Sequence, residues 1–160
     1  MYPTIVTPML EDGRLDWKSL GKLIAHYAKI DCNGIFAVCQ SSEMFRLTED
    51  ECVRLAGRVV RAVAGRMAVV ASGHTAERLG DQICGLKRMA DTGVDAVVMI
   101  SNRLASPEEN DDALIARMNT ILKAIPDATF GMYECPYPYK RMLTDRVLKA
   151  MHRYGRFTFI

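Results

Sequence analysis

The chain has 160 residues, and its 21 Lys and Arg nearly balance its 19 Asp and Glu, for a net charge of +2. This balance provides no strongly basic surface, which argues against a nucleic-acid or anionic-membrane partner. With 49% hydrophobic and 25% charged residues, the composition is typical of a globular protein and excludes a disordered or fibrous one. No apolar run reaches the roughly 20 residues of a membrane-spanning helix.

The cysteine pattern indicates the cellular compartment, and the missing nucleotide motifs bear on the cofactor. Five cysteines are present, and none lies in a C-x-x-C pair. No basic segment followed by an apolar core begins the chain. We therefore expect a protein of the reducing cytoplasm without a disulfide framework. Neither G-x-G-x-x-G nor G-x-x-x-x-G-K-[ST] follows any apolar run, so no nucleotide cofactor is expected.

Short apolar runs alternate with amphipathic segments along the chain. The first run, residues 5–8, ends at Pro8, which cannot continue a strand ladder. The following segment has Asp16 as its N-cap and repeats apolar residues with helical spacing. Further strands are predicted at residues 35–38, 67–71, 96–100, 128–133 and 157–160.

The helices between these strands have recognisable starts. Their predicted N-caps are Thr48, Thr75, Ser106 and Thr144, the last beginning a helix through about His152. Thr48 with Glu51 forms a capping box. Ser106 has the fullest signal, because Pro107 follows it and Glu109 lies three residues on.

Continuous apolar strands between amphipathic helices predict a parallel sheet that is covered on both faces. The two candidate folds are a doubly wound open sheet and a (β/α)8 TIM barrel, and the missing nucleotide motifs favour the barrel. Five strand–helix units and a sixth strand are about two thirds of a barrel of roughly 250 residues. We therefore expect residues 1–160 to be the N-terminal part of one longer barrel domain.

Functional groups in such folds gather at the carboxyl ends of the strands. That rule selects five segments, namely residues 7–8, 39–43, 72–74, 101–103 and 133–136. The Gln40 amide, the Ser41 and Ser42 hydroxyls and nearby backbone N–H groups have the donors to hold a carboxylate or an oxyanion, although such turns are also common without a ligand. The Tyr133 phenol is suited to moving a proton near a carbonyl, although a lone tyrosine is more often a packing residue.

A metal centre is the competing interpretation of the same edge. His74, Glu134, Cys39 and Cys135 are possible ligands, but their spacing matches no compact zinc pattern. We therefore expect no metal. Arg103 is interpreted as a solvated loop arginine.

Four motifs in register resemble the dihydrodipicolinate synthase and N-acetylneuraminate lyase family. Residues 4–16 are similar to its opening T-P-[FM]…D-G…[LI]-D, and residues 39–51 to G-[ST]-T-G-E followed by L-[ST]-x-x-E. Residues 93–97 are similar to G-A-D-A-V, and residues 133–136 to Y-N-x-P. The likeness extends through the whole chain.

The resemblance implies a (β/α)8 barrel, usually a homotetramer, with class I aldolase chemistry that needs no metal. A lysine forms a Schiff base with pyruvate or another 2-oxo acid, and the imine stabilises a neighbouring carbanion. Gln40 and Ser41 occupy the positions that hold the 2-oxo acid carboxylate, with Thr7 counted among the substrate-binding residues. Ser41 also stands where a hydroxyl passes a proton to Tyr133, the implied general acid/base.

The family pattern places the lysine directly after Ile160, so we expect the chain to continue with it. Several positions depart from the pattern: Cys39 and Ser42 replace two glycines, and Glu134 replaces an asparagine. These departures favour an aldolase or dehydratase of a sugar-derived or other 2-oxo acid over an enzyme that uses the aldehyde of lysine biosynthesis. Two alternatives stay open, a metal-dependent barrel enzyme and a barrel that binds a small ligand without turnover.

Overall fold

A computed structural model describes residues 2–30 and 32–160. Its sheet has five strands: β1 (Gly34–Val38), β2 (Ala68–Ala71), β3 (Ala96–Ile100), β4 (Phe130–Tyr133) and β5 (Phe157–Phe159). The strands lie side by side in chain order, and every neighbouring pair is parallel. An open doubly wound sheet reverses its strand order at a switch point, whereas a barrel does not, so this strand order is that of a barrel. The five strands predicted from residues 35–38 through 157–160 are all confirmed, each to within two residues at either end.

The helices lie between the strands in the predicted alternation. They are α1 (Trp17–Lys29), α2 (Glu49–Val63), α3 (Leu79–Ala90), the short α4 (Ser101–Leu104), α5 (Asp111–Ala124) and α6 (Asp145–Tyr154). The predicted N-caps Asp16, Thr48 and Thr144 are confirmed, since each side chain accepts a backbone N–H of the first turn. No helix in the described part of the chain is long and apolar enough to cross a membrane.

The predicted first strand at residues 5–8 is wrong as a sheet strand. The segment before Pro8 makes only an isolated parallel bridge, between Thr4 and Phe36 of β1. Phe36 donates its N–H to the Pro3 carbonyl and accepts from the Ile5 N–H. The segment therefore lies beside β1, where a first barrel strand would lie, but Pro3 and Pro8 lack the N–H groups to extend the ladder.

The predicted helix start at Thr75 is also wrong, because α3 begins at Leu79 with Arg78 as its N-cap. The buried Gln82 amide donates to the carbonyls of Ala76 and Glu77. These side-chain hydrogen bonds satisfy the carbonyls of an irregular segment, so the segment does not have to form a helical turn to pair them.

The start predicted at Ser106 lies too early by one turn. Helix α5 begins at Asp111, and the Asn110 side chain caps it by accepting the Ala113 N–H at 3.1 Å. Glu109 does accept the Ser106 N–H, as in a capping box, but its carboxylate is also bound by Arg117. That ion pair keeps residues 106–109 as a separate turn.

Two apolar layers lie on opposite faces of the sheet. The larger packs the strands against the helices, and the smaller consists of Phe36, Cys39, Val70, Ala96 and Val98 with Tyr133 and Phe159. The smaller layer is the face that lines the interior of a barrel. Gly131 belongs to this face, and a Cβ there would lie 2.2 Å from the Phe159 ring.

Candidate functional site

The turn after β1 is fixed by hydrogen bonds to the N-terminal segment. Residues Gln40–Ser42 form one turn of 3-10 helix, and Glu43 then adopts a left-handed conformation with φ of 60°. The buried Ser42 hydroxyl donates to the Ile5 carbonyl at 2.7 Å and accepts the Cys39 N–H at 3.2 Å. Thr7 donates its hydroxyl to the Ser42 carbonyl at 2.6 Å. The turn therefore has a set position at the carboxyl end of the sheet.

We expect Ser42→Ala to lower the free energy of unfolding by about 1–3 kcal/mol, because it leaves two buried backbone groups without their partner. Urea unfolding of the full-length protein measures this loss. Ser41→Ala is the matched control, since the Ser41 side chain is exposed and its loss should cost less than about 0.5 kcal/mol. Equal losses in the two variants would contradict the role given to Ser42.

Tyr133 and Gln40 meet across the mouth of the sheet, although 93 residues separate them. Tyr133 ends β4, and its hydroxyl donates to the Gln40 Oε1 at 3.4 Å. The Cys135 thiol donates to the same oxygen at 3.3 Å. Phe36 supports the tyrosine ring edge-on, with centroids 6.1 Å apart. One amide oxygen thus accepts from two donors beside the turn after β1, one at the end of β4 and one in the loop just after it.

The Tyr133 phenol is protonated at any physiological pH. Burial, together with the nearby Cys135 and Cys39 thiols, raises its pKa to about 12. The side chain therefore holds a proton that is available for donation.

The four residues expected to act here lie at the same edge of the sheet with different partners. Gln40 and Tyr133 are in contact, whereas Thr7 bonds the backbone of the turn. Ser41 is exposed, and its hydroxyl has no hydrogen-bond partner among residues 2–30 and 32–160. From the sequence, Cys135 was considered only as a metal ligand. The strand-end rule had nevertheless selected its segment, residues 133–136.

The loop after β4 is held in place by Asn102 of α4. The buried Asn102 side chain shares its two N–H groups among the carbonyls of Cys135, Tyr137 and Tyr139, whose oxygens lie 2.8, 3.0 and 2.5 Å from Nδ2. In return, the Tyr139 hydroxyl donates to the backbone carbonyl of Asn102 at 2.7 Å. Glu134 accepts the Leu143 N–H at 2.6 Å. These bonds fix the backbone that carries Tyr133.

His74 is not placed as a metal ligand, and Arg103 differs from its sequence-based interpretation. His74 is 1% exposed, and its Nδ1 accepts the Ile100 N–H at 2.9 Å, so that nitrogen has no lone pair for a metal. Within the described residues, no three His, Cys, Asp or Glu side chains are grouped to hold a metal ion. Arg103 is not a solvated loop arginine, because it belongs to α4 and its Cζ lies 5.4 Å from the Phe45 ring centroid.

The buried His74 makes stability depend on pH. Burial is the largest cause lowering its pKa to about 4, and the Arg103 charge adds to it while Gln82 acts in the opposite direction. Because the unfolded state binds the proton more readily, stability should be lost as the pH falls from about 6.5 to about 4. Urea unfolding across this range should give a steeper profile for the native protein than for His74→Gln. Parallel profiles would contradict this assignment.

Comparisons with known proteins agree on one family. The model of the dihydrodipicolinate synthetase family matches residues 1–145. The chain belongs to this family. The 4-hydroxy-tetrahydrodipicolinate synthase of Pseudomonas savastanoi pv. phaseolicola is 32% identical over 133 residues, which are 82% of this chain and 44% of that protein.

Solved structures of the family share the fold. The chloride-inhibited dihydrodipicolinate synthase of Acinetobacter baumannii, complexed with pyruvate, matches with a TM-score of 0.76 and 27% identity over 84% of this chain and 45% of that one. A catalytic-lysine mutant of the Ruminococcus gnavus sialic acid aldolase matches with a TM-score of 0.84 and 18% identity, over 99% and 51%. The chain thus has the fold of about half of a dihydrodipicolinate synthase TIM barrel, and it spans less than half of the curated relative compared above.

Proposed function

We propose that this chain is the N-terminal part of a (β/α)8 lyase that forms or cleaves C–C bonds of pyruvate or another 2-oxo acid through a lysine Schiff base. The lysine follows Ile160 at the end of the sixth barrel strand. The protonated imine withdraws electrons from the neighbouring carbon, so a carbanion equivalent forms without a metal. Membership in the dihydrodipicolinate synthetase family supports the lyase class. By the same resemblance, the enzyme is a cytoplasmic homotetramer.

The contact between Tyr133 and Gln40 is the observation that carries this proposal. It joins a protonated phenol of β4 to the polar turn after β1, over the barrel-lining layer. A 2-oxo acid between them has a carboxylate to be held and a carbonyl oxygen to be protonated.

Each residue of the site has a role in the proposed reaction. The Gln40 amide and the exposed Ser41 hydroxyl bind the carboxylate, and Ser41 passes a proton between substrate and Tyr133. Tyr133 is the general acid and base, and its high pKa keeps the proton available. Thr7 contributes by holding the backbone of the turn at Ser42, so that the donors face the substrate.

Exchange of the pyruvate methyl protons in D2O tests the proposal. Imine formation followed by loss of a C3 proton gives an enamine, so the full-length protein should exchange these protons, as followed by proton NMR. Exchange should require pyruvate binding and should slow in Ser41→Ala and Tyr133→Phe. Exchange no faster than in a blank would overturn the proposal, and pyruvate binding without exchange would indicate a binding protein instead.

A further inference from the structure

Three arginines form a row along helix α2, on the helical side of the sheet. Arg54, Arg58 and Arg61 are all exposed and follow one another at spacings of four and three residues, which places them on one face of the helix. Successive members lie about 6 and 4.5 Å apart along the helix axis, because each residue adds a rise of about 1.5 Å. The small net charge of the whole chain conceals this local concentration of positive charge.

The three guanidinium groups have no carboxylate partner in the described residues. Six other arginines form ion pairs with Asp or Glu, namely Arg14, Arg46, Arg88, Arg117, Arg141 and Arg146. Across residues 2–30 and 32–160, the three arginines of the row form no ion pair and donate no hydrogen bond. The Glu51 carboxylate senses the Arg54 charge, but it is bound by the Thr48 hydroxyl at 2.8 Å. The row can therefore attract an external anion.

Local helix energetics does not explain this row. Like charges three and four residues apart repel each other and destabilise a helix. The helix dipole favours a cation in the last turn, which accounts for Arg61. Arg54 and Arg58 lie before that turn and gain little from the dipole. An anion bound along the row would remove the repulsion among all three groups.

A cavity lies against the row. It has a volume of about 340 Å³ and is lined by the three arginines and by Trp17 of α1. The Arg54 Cζ lies 5.4 Å from the centroid of the Trp17 ring, in a cation–π contact that positions the guanidinium at the cavity wall. Trp17 also packs against the core. Because three of the four lining residues are cationic, the cavity favours an anionic occupant.

We propose that this cavity binds a small molecule that carries a chain of phosphates. A guanidinium group matches the geometry of phosphate and donates two parallel N–H bonds to its oxygens. Linked phosphates repeat their charge at short intervals, so one molecule can contact guanidinium groups on successive turns of α2. An inorganic oligophosphate and a nucleoside triphosphate share this chemistry. The site is separate from the Tyr133–Gln40 contact and does not depend on the Schiff-base function.

Calorimetric titration of the full-length protein with sodium triphosphate tests the proposal, at a constant ionic strength of about 0.15 M. The Kd should be about 0.1 mM or lower, and at least about tenfold lower than for orthophosphate or citrate. Triphosphate that binds no more tightly than those two anions would overturn the proposal. A parallel titration with ATP distinguishes the two sources. An equal affinity for ATP would assign recognition to the phosphates alone, and a higher one would add contacts of the nucleoside.

Variants that each remove one positive charge locate the site. Arg58→Gln should raise the Kd for triphosphate about fivefold or more, because a charge-assisted contact is lost. Arg153→Gln is the matched control, since Arg153 is an exposed arginine of α6 that forms no ion pair within the described residues. It should change the Kd less than about twofold. Equal effects of the two substitutions would show only long-range attraction and would overturn the proposal.

Trp17 reports binding directly, because it is the single tryptophan of residues 1–160 and contacts Arg54. Triphosphate should change the tryptophan emission of the native protein, and Trp17→Phe should abolish that change. Equal emission changes in the two proteins would place the anion elsewhere and overturn the assignment. Borohydride trapping with pyruvate should give the same adduct in Arg58→Gln as in the native protein, so the anion site and the Schiff-base function are tested separately.

Discussion

Tyr133→Phe should lower kcat about 10²- to 10⁴-fold, the range expected for loss of a general acid and base. The phenylalanine keeps the ring that packs edge-on against Phe36, so folding should persist. Imine formation with pyruvate should also persist, because the lysine is a separate group. The measurements are steady-state kinetics and borohydride trapping, performed on the same full-length preparation.

A second tyrosine provides the control for this substitution. Tyr154 lies in α6 and packs against the core on the helical side of the sheet. Tyr154→Phe removes a hydroxyl far from Gln40 and should leave kcat within about twofold of the native value. A Tyr133→Phe variant with a similarly small change would show that another group moves the proton.

Asn102→Asp should be strongly destabilising, by about 3 kcal/mol or more, because an uncompensated buried charge is among the most costly changes. The native amide donates towards three carbonyls of the loop after β4. A carboxylate in its place presents only acceptors to those three oxygens. Protonation supplies one donor, so the loss should shrink as the pH falls. Urea unfolding at several pH values measures both effects.

Asn110→Asp is the matched control for that charge. Asn110 caps α5 through its side-chain oxygen, which an aspartate also provides. A negative charge at the helix N-terminus is favourable, so stability should change by less than about 0.5 kcal/mol or should rise. If both variants lose the same free energy, the Asn102 amide does not hold the loop.

The strands could be predicted from the sequence because their burial is nearly continuous. Residues 96–100 are buried throughout, and so is β1, which is the pattern of a parallel sheet covered on both faces. The caps at Asp16, Thr48 and Thr144 are likewise local, since each bonds an N–H within three residues. Such signals depend on few distant residues.

The wrong helix starts at Thr75 and Ser106 depend on contacts that the local sequence does not reveal. Gln82 binds the carbonyls before α3, and Arg117 binds Glu109 before α5. In both places a side chain from inside the helix competes with an additional helical turn. Local propensity is a weak prior wherever such contacts exist.

The strand-end rule selected residues that lie together at one edge of the sheet, but it did not give the contacts among them. It chose Tyr133 and the turn after β1, which do meet. The resemblance assigned the proton relay to Ser41, whereas in the structure Gln40 contacts the phenol. A pairing across 93 residues follows from strand order and barrel curvature, and Asn102 gives no motif of its own.

Borohydride reduction of the full-length protein in the presence of pyruvate tests the proposed Schiff base most directly. Intact mass followed by peptide mapping should show one reduced pyruvate per subunit, attached to a lysine directly after Ile160. Lysines within residues 1–160 should remain unmodified, and omission of pyruvate should abolish the adduct. A full-length protein that binds pyruvate but carries no adduct, or carries it on another lysine, would contradict the proposed mechanism.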